Sequence, residues 1–403
     1  MKVDYWFLCA LVLVLGYVVK RFELPGVSSA ISLLFFTVAG LMILWKDGVR
    51  LIALEYFLLI YGYVVAVSFL HFESNPKIVQ NVVNLSAMMF LGYALSCLRD
   101  DHVALFFGSL TVIVYCSGVV LSLHGILQFV LVLGRVVPTL RDGFVEYANI
   151  GYGLNSFIPV LTIGGLRLAR IKSIFLEPGY FAVFLLLATV SAFHQKARSR
   201  FGRYIIALAL ILTFSVSAYA LFVLFFVLRR SCFPATGRSR ITVAAGSSIG
   251  GVAAGVLVWF LFFSADPLLR SASTMDRFAV LYGGIHHAEQ TLWGYGLTGI
   301  FLDSTLPYVI RPNEGSGSSM VDVWLIGGLP LSLLMFIAYA FLLSIAFRSL
   351  RELNDECRKY IAIFFVLILV NSIYLTTLFE PLYYVAVGLL LSIRRRNRIV
   401  TAR

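Results

Sequence analysis

Long apolar runs separated by short polar turns set the pattern of this chain. Hydrophobic stretches fall at 5–19, 27–45, 49–70, 78–98, 103–133, 174–193, 203–228, 241–263, 321–347, 360–379 and 381–393. A bilayer span needs roughly 20 such residues. The short alternating strands of an outer-membrane barrel are not evident. The pattern predicts an all-α, polytopic integral membrane protein of about 11–12 transmembrane helices in a single membrane domain. Run 5–19 has the length of a signal peptide, but Lys20-Arg21 follows it without a small-residue cleavage site. It is therefore expected to stay as a helix. Run 103–133 is too long for one simple span, and its part from His124 to Leu133 is expected to tilt or lie at the interface.

Run 203–228 poses a topological choice. Its centre, Thr213-Phe-Ser-Val-Ser217, is polar, and Arg or Lys residues flank both ends. A single span would strand one basic cluster outside. Two short helices turning at Ser215–Ser217 keep both on the cytoplasmic side, where Lys and Arg concentrate. The hairpin is the expected form. Counting from the basic tail then places 134–173 and 264–320 outside, and 46–50, 99–102, 348–359 and the N-terminus inside. Arg99-Asp-Asp-His102 is read as a solvated inner turn, and Glu380-Pro381 mainly as an outer turn.

Composition agrees with the pattern. Of 403 residues, 60% are hydrophobic and 13% charged, and the mean hydropathy is +0.92. The net charge of +12 would suggest nucleic acid in a soluble protein. Here it reflects basic cytoplasmic loops, and no nucleic-acid partner is expected. The five cysteines have no metal-ligand spacing, so neither a disulfide nor a zinc site is expected.

Charge becomes informative on the outer loops. Arg135, Arg141, Arg167, Arg170 and Lys172 fall in the first, and Arg270, Arg277 and Arg311 in the second. Basic residues beside helix ends normally stay inside. Cations at these positions fit an anionic ligand, and Arg suits a diphosphate through its planar fork of donors.

The large loop 264–320 holds the predicted amphipathic helix. Ser273-Thr-Met-Asp276 has the form of a capping box, and Phe278, Leu281, Ile285, Ala288 and Leu292 make one apolar stripe. Arg277 flanks the stripe, while His287 points away from it. His286 and His287 together lack a third ligand for metal. Gly283-Gly284 weakens the helix, and Trp293-Gly-Tyr-Gly296 then makes a tight turn.

The other outer candidate is Glu177 of Arg170-Ile-Lys-Ser-Ile-Phe-Leu-Glu177-Pro178. Two roles fit it. It is a helix cap ahead of Pro178, or it is a functional carboxylate, either a general base or the anchor of a catalytic Arg. No nucleoside triphosphate loop, Ser-His-Asp constellation or outer Asp-x-Asp pair is present in the sequence. A glycosyl donor would then be lipid-linked, with Arg neutralising the charge that develops on the departing diphosphate.

Three blocks of this sequence resemble the O-antigen polymerase and O-antigen ligase superfamily. They are Arg170 to Phe181, the polar break Thr213 to Ser217, and Arg277 through Gly294-Tyr-Gly296. Ser316-Gly-Ser-Ser319 and Gly327-Gly-Leu-Pro330 follow in order. The resemblance implies a GT-C-like helical fold with one large periplasmic loop in a bacterial inner membrane. It implies polymerisation of undecaprenyl-diphosphate-linked oligosaccharide repeat units of O-antigen, capsule or exopolysaccharide at the periplasmic face, without metal or cofactor. Catalytic roles would fall to Glu177, Arg170 and Arg277, and substrate binding to Lys172, Arg270, His286, His287 and Arg311. Implied partners are the polyprenyl-diphosphate-linked oligosaccharide, membrane lipids and a chain-length regulator. Ligases have a His-Asn pair where this chain has Gly-Ser-Gly-Ser, which favours a polymerase. The alternatives are a ligase-type glycan transferase and a polysaccharide flippase.

Overall fold

The computed structural model describes residues 4–21, 27–50, 54–70, 76–137, 139–142, 145–149, 157–163, 166–175, 177–196, 200–233, 285, 292–294, 296–297, 319–351, 355–372 and 380–394. The described chain is mostly helical. Its helices are α1 (Tyr5–Lys20), α2 (Val27–Asp47), α3 (Leu54–Leu70), α4 (Pro76–Ser96), α5 (Asp100–Leu133), α6 (Pro178–His194), α7 (Arg200–Leu212), α8 (Val216–Cys232), α9 (Ser319–Arg351), α10 (Glu356–Ser372) and α11 (Pro381–Ile393). Among the described residues, Ser29–Asp47, Asp100–Leu133 and Asp322–Arg351 are long and apolar enough to cross a membrane. Shorter apolar helices run over Tyr5–Lys20, Phe57–Phe69, Pro178–His194 and Pro381–Ile393. A membrane protein built of helices is thus what the structure holds.

The expectation of a purely helical chain needs one correction. Four short strands lie between α5 and α6, in the segment expected to be an outer loop: β1 (Thr139–Asp142), β2 (Val145–Asn149), β3 (Phe157–Ile163) and β4 (Leu166–Ala169). They form an antiparallel sheet in sequence order. Its register pairs small residues with branched ones, Ala148 with Ile158 and Val160 with Ala169. These four are buried together with Val132 of α5, and Phe129 and Val137 pack against them. The long helix explains the arrangement. At 1.5 Å per residue, the 34 residues of α5 reach roughly 50 Å, well beyond a hydrocarbon core of about 30 Å. The last turns of α5, at Phe129 and Val132, are the part that packs on the sheet.

The chain divides into two compact units, residues 1–35 with 105–272 and residues 36–104 with 273–403. In the first, α5 and α6 run antiparallel. Gln195, at the end of α6, donates from Nε2 to the Gly108 carbonyl near the start of α5 at 2.8 Å, and Gln128 near the end of α5 binds Ser173 just before α6. Helix α1 lies beside them, with Trp6 edge-on to Phe106 and Tyr17 stacked on Phe184. Run 203–228 is two helices, as the charge pattern leads one to expect. They break at Thr213–Ser215, where Phe214 has a φ of 48°. Arg203 at the start of α7 and Arg229 near the end of α8 both reach the ring of Phe193.

In the second unit α4 and α11 pack closely at Gly92 and Gly388, where a Cβ on Gly388 would come within 2.5 Å of the Gly92 carbonyl oxygen. The turn before α5 is less solvated than its composition suggests. The buried Asp47 carboxylate accepts from the Arg99 amide at 2.8 Å and pairs with His102, whose side chain is only 16% exposed. Helix α9 is interrupted at Gly328, two residues before Pro330.

Candidate functional site

The connector from β4 to α6 carries three of the sequence-predicted site residues, and each is placed by a different neighbour. Arg170 continues the sheet ladder: its amide donates to the Pro159 carbonyl at 2.8 Å, one step beyond the Val160–Ala169 pair. Its guanidinium donates to the Phe214 carbonyl at 3.5 Å, in the break between α7 and α8. The same guanidinium acts electrostatically on the Tyr219 hydroxyl, which itself donates to the Ile211 carbonyl. The next amide, Ile171, donates to the carbonyl of Leu212, the last residue of α7, at 3.2 Å. Two of the sequence blocks that lie apart in the chain, Arg170 to Phe181 and Thr213 to Ser217, therefore meet in space. A helix break frees backbone carbonyls, and a guanidinium is a natural partner for one.

Lys172 is only 5% exposed. Ser173 follows it with a φ of 52°, a left-handed conformation that costs a serine about 1–2 kcal/mol. The surroundings hold it there. Ser173 N–H donates to Gln128 Oε1 and Gln128 Nε2 donates to the Ser173 carbonyl, each at 2.9 Å. Both residues are buried. His124, one helical turn before Gln128 on α5, has its Nδ1 3.0 Å from Ser173 Oγ. The sequence reading passed over His124 and Gln128 because they lie in an apolar run. Their spacing on one helix face was the available signal.

Glu177 occupies the N-cap position of α6 with Pro178 after it, yet its side chain makes no capping bond, and the residue is exposed. The cap reading thus holds for its position and not for its carboxylate. Glu380 shows the contrast. It caps α11 by accepting from the Leu382 amide at 3.4 Å and is buried.

A further cation joins this end of the first unit. Arg21, at the C-cap of α1, lies 3.8 Å from the ring centroid of Tyr180 and 5.9 Å from that of Tyr17. Tyr17 also contacts Phe175, which anchors the last turn of α1 beside the 170–177 connector. The sequence treated Lys20-Arg21 only as a flank of the first helix. With the N-terminus inside, as expected from the sequence, a single crossing by α1 would put it on the outer side.

The Gly-rich blocks of the second unit also find each other. Gly294 and Gly328 both have positive φ, at 80° and 63°. The Leu329 amide donates to the Leu292 carbonyl at 2.9 Å, and a Cβ on Gly294 would lie 2.5 Å from the Gly328 nitrogen. Gly296, with φ 68°, lies against Ser68 of α3, whose hydroxyl accepts from the Leu297 amide at 3.0 Å. Tyr63 donates to the Gly327 carbonyl at 2.8 Å. Leu292 to Gly294 are thus docked backbone to backbone on the interruption in α9. Asp322, earlier in α9, is fully buried, and the sequence reading had not singled it out.

Arg270, Arg277, His286, His287 and Arg311 lie outside the described residues, as does nearly all of the expected amphipathic helix. Among the described residues no group of three or more His, Cys, Asp or Glu side chains could hold a metal ion. No protein-family model matches the chain, and no curated protein matches it.

Proposed function

We propose that the protein is a membrane-embedded glycosyltransferase. It polymerises undecaprenyl-diphosphate-linked oligosaccharide repeat units at the periplasmic face of a bacterial inner membrane. One observation carries this reading: the first unit has cations at both ends of its helices. Arg203 and Arg229 stand at the Phe193 end of α6, and Arg170, Lys172 and Arg21 at the Pro178 end. The bias of basic residues toward the cytoplasm can account for only one end. The other end suits an anionic ligand, and the diphosphate of a lipid carrier is the anion proposed for it. Arg170 and Lys172 would offset the negative charge that grows on the diphosphate as it leaves. Arg277 and Arg270 of the large loop, with Arg311, His286 and His287, are proposed to complete the binding of donor and acceptor. Glu177, exposed and not engaged in capping, is proposed to contact the acceptor sugar.

The test is the length profile of surface polysaccharide in cells carrying Arg170→Ala, Lys172→Ala or Arg277→Ala. Loss of long chains with single repeat units retained on the cell surface is expected. A flippase defect would remove the single units as well, and a ligase defect would leave long chains on the lipid carrier. Wild-type chain lengths in all three variants would overturn the reading.

A further inference from the structure

His124 is an exposed titratable side chain on the long, mostly apolar α5, at a level where α5 packs on Ile171 and Phe181 through Gly125. At 1.5 Å per residue His124 lies roughly 36 Å along α5 from Asp100, toward the end of the helix that packs on the cationic connector, where a titratable side chain can meet a polar ligand. Its surroundings have the form of an oriented base. A base must be held by a second group, and that group must itself be fixed. Ser173 Oγ lies 3.0 Å from His124 Nδ1, and Ser173 is gripped through both its backbone N–H and its carbonyl by the Gln128 amide. If Nδ1 carries the proton and donates it to Ser173 Oγ, Nε2 has a free lone pair. Among the described residues Nε2 makes no hydrogen bond. Ser173 also lies on the short connector between Arg170 and Glu177, so the ring stands beside the cationic segment.

We propose that His124 is the base that takes the proton from the attacking sugar hydroxyl, with Ser173 and Gln128 as positioning residues. The proposal rests on the transfer reaction proposed above and assigns its base. As the acceptor hydroxyl oxygen bonds to the anomeric carbon of the lipid-linked donor, its proton passes to Nε2. The bond from that carbon to the diphosphate oxygen breaks, and its electron pair leaves with the diphosphate toward Arg170 and Lys172. The imidazolium that forms is held by its Nδ1–H to Ser173 and afterwards returns a proton to water. Imidazole suits the task better than Glu177. As a class, imidazoles are stronger bases than carboxylates. Glu177 also lacks a capping bond to fix its carboxylate.

Two measurements on the purified full-length protein test the assignment. The first uses the lipid-linked repeat units accumulated by cells that lack the protein, and follows their elongation against pH. His124→Gln and His124→Ala should each lower kcat by about 10²–10⁴-fold with KM little changed, and the ionisation of the base should vanish from the profile. Ser173→Ala should lower kcat less and keep that ionisation. Added imidazole should partly restore His124→Ala. The second records the imidazole nitrogens of protein labelled with ¹⁵N-histidine, and His124→Gln assigns the signal. The Nδ1–H tautomer is expected in the wild type and should be lost in Ser173→Ala. An Nε2–H tautomer, or near-wild-type kcat in both His124 variants, would overturn the assignment while leaving the polymerase reading intact. A wild-type protein that elongates nothing would overturn both.

Discussion

Arg203 and Arg229 bring their guanidinium groups to the same aromatic ring, that of Phe193, at 5.0 and 4.4 Å from its centroid. Their helices run in opposite directions, so α7 and α8 make a hairpin with its two basic ends together. A cationic group over an aromatic face is worth roughly 0.5–2 kcal/mol. The larger consequence is topological. Cysteines placed at Arg200 and Ser231, near the two ends, should be modified by a membrane-impermeant thiol reagent from the same face. A cysteine at Ser217 should react from the other face or not at all. Modification of positions 200 and 231 from opposite faces would replace the hairpin with a single crossing.

The hairpin could be read from the sequence because charge bias acts over a whole segment and leaves a compositional trace. The sheet left a weaker one. Its strands are 4–7 residues long, and among the described residues it is Ala148, Ile158, Val160 and Ala169 that are buried with the end of α5. Four buried positions spread over three strands give no continuous period, and their partner, Val132, lies inside a run that looks like plain membrane helix. The candidate site divides in the same way. Arg170 and Glu177 were visible because charges beside a helix start are conspicuous. Gln128 and His124 act across space on Ser173, and nothing near them in sequence states that partner. Arg21 was visible as a charge but was weighed only as a topological signal.

The docking of Gly294 on Gly328 makes a stability prediction. Gly328→Ala would force a left-handed alanine, at about 1–2 kcal/mol, and drive its Cβ against the Leu292 carbonyl. Gly294→Ala meets the Gly328 nitrogen at 2.5 Å. Each should lower the thermal midpoint of the detergent-solubilised protein by several degrees, and Gly48→Ala, at a positive φ of 78° with open space around it, should cost less. Equal loss in all three would mean that conformation alone, and not the docked turn, is what these glycines serve.

Asp47 predicts a graded response. Its buried carboxylate serves the Arg99 amide and the His102 ring at once. Asp47→Ala leaves the Arg99 N–H and the His102 ring without this acceptor, at about 1–3 kcal/mol for a buried unmade bond. Asp47→Asn keeps an acceptor of the same shape and should cost less. His102→Ala should fall between them. Thermal unfolding of the three variants checks the order, and an alanine variant as stable as the asparagine one would show that the Arg99 amide does not depend on Asp47.

Arg21 offers a test of the cationic end by a residue that no motif marks. Its guanidinium lies over the ring of Tyr180, 3.8 Å from the centroid, and carries a planar fork of donors of the kind that suits an anion. If the Pro178 end of the first unit grips a diphosphate, Arg21→Ala should shorten the surface polysaccharide without removing single repeat units. Arg21→Lys keeps the charge and the attraction to the ring but loses the planar fork, so it should give intermediate lengths. Tyr180→Phe preserves the aromatic face and should retain long chains, whereas Tyr180→Ala should resemble Arg21→Ala. Chain-length gels of the four variants at equal expression decide the matter. Full-length chains in Arg21→Ala would confine the grip to Arg170 and its neighbours on the connector, and would leave Arg21 as a packing residue between α1 and α6.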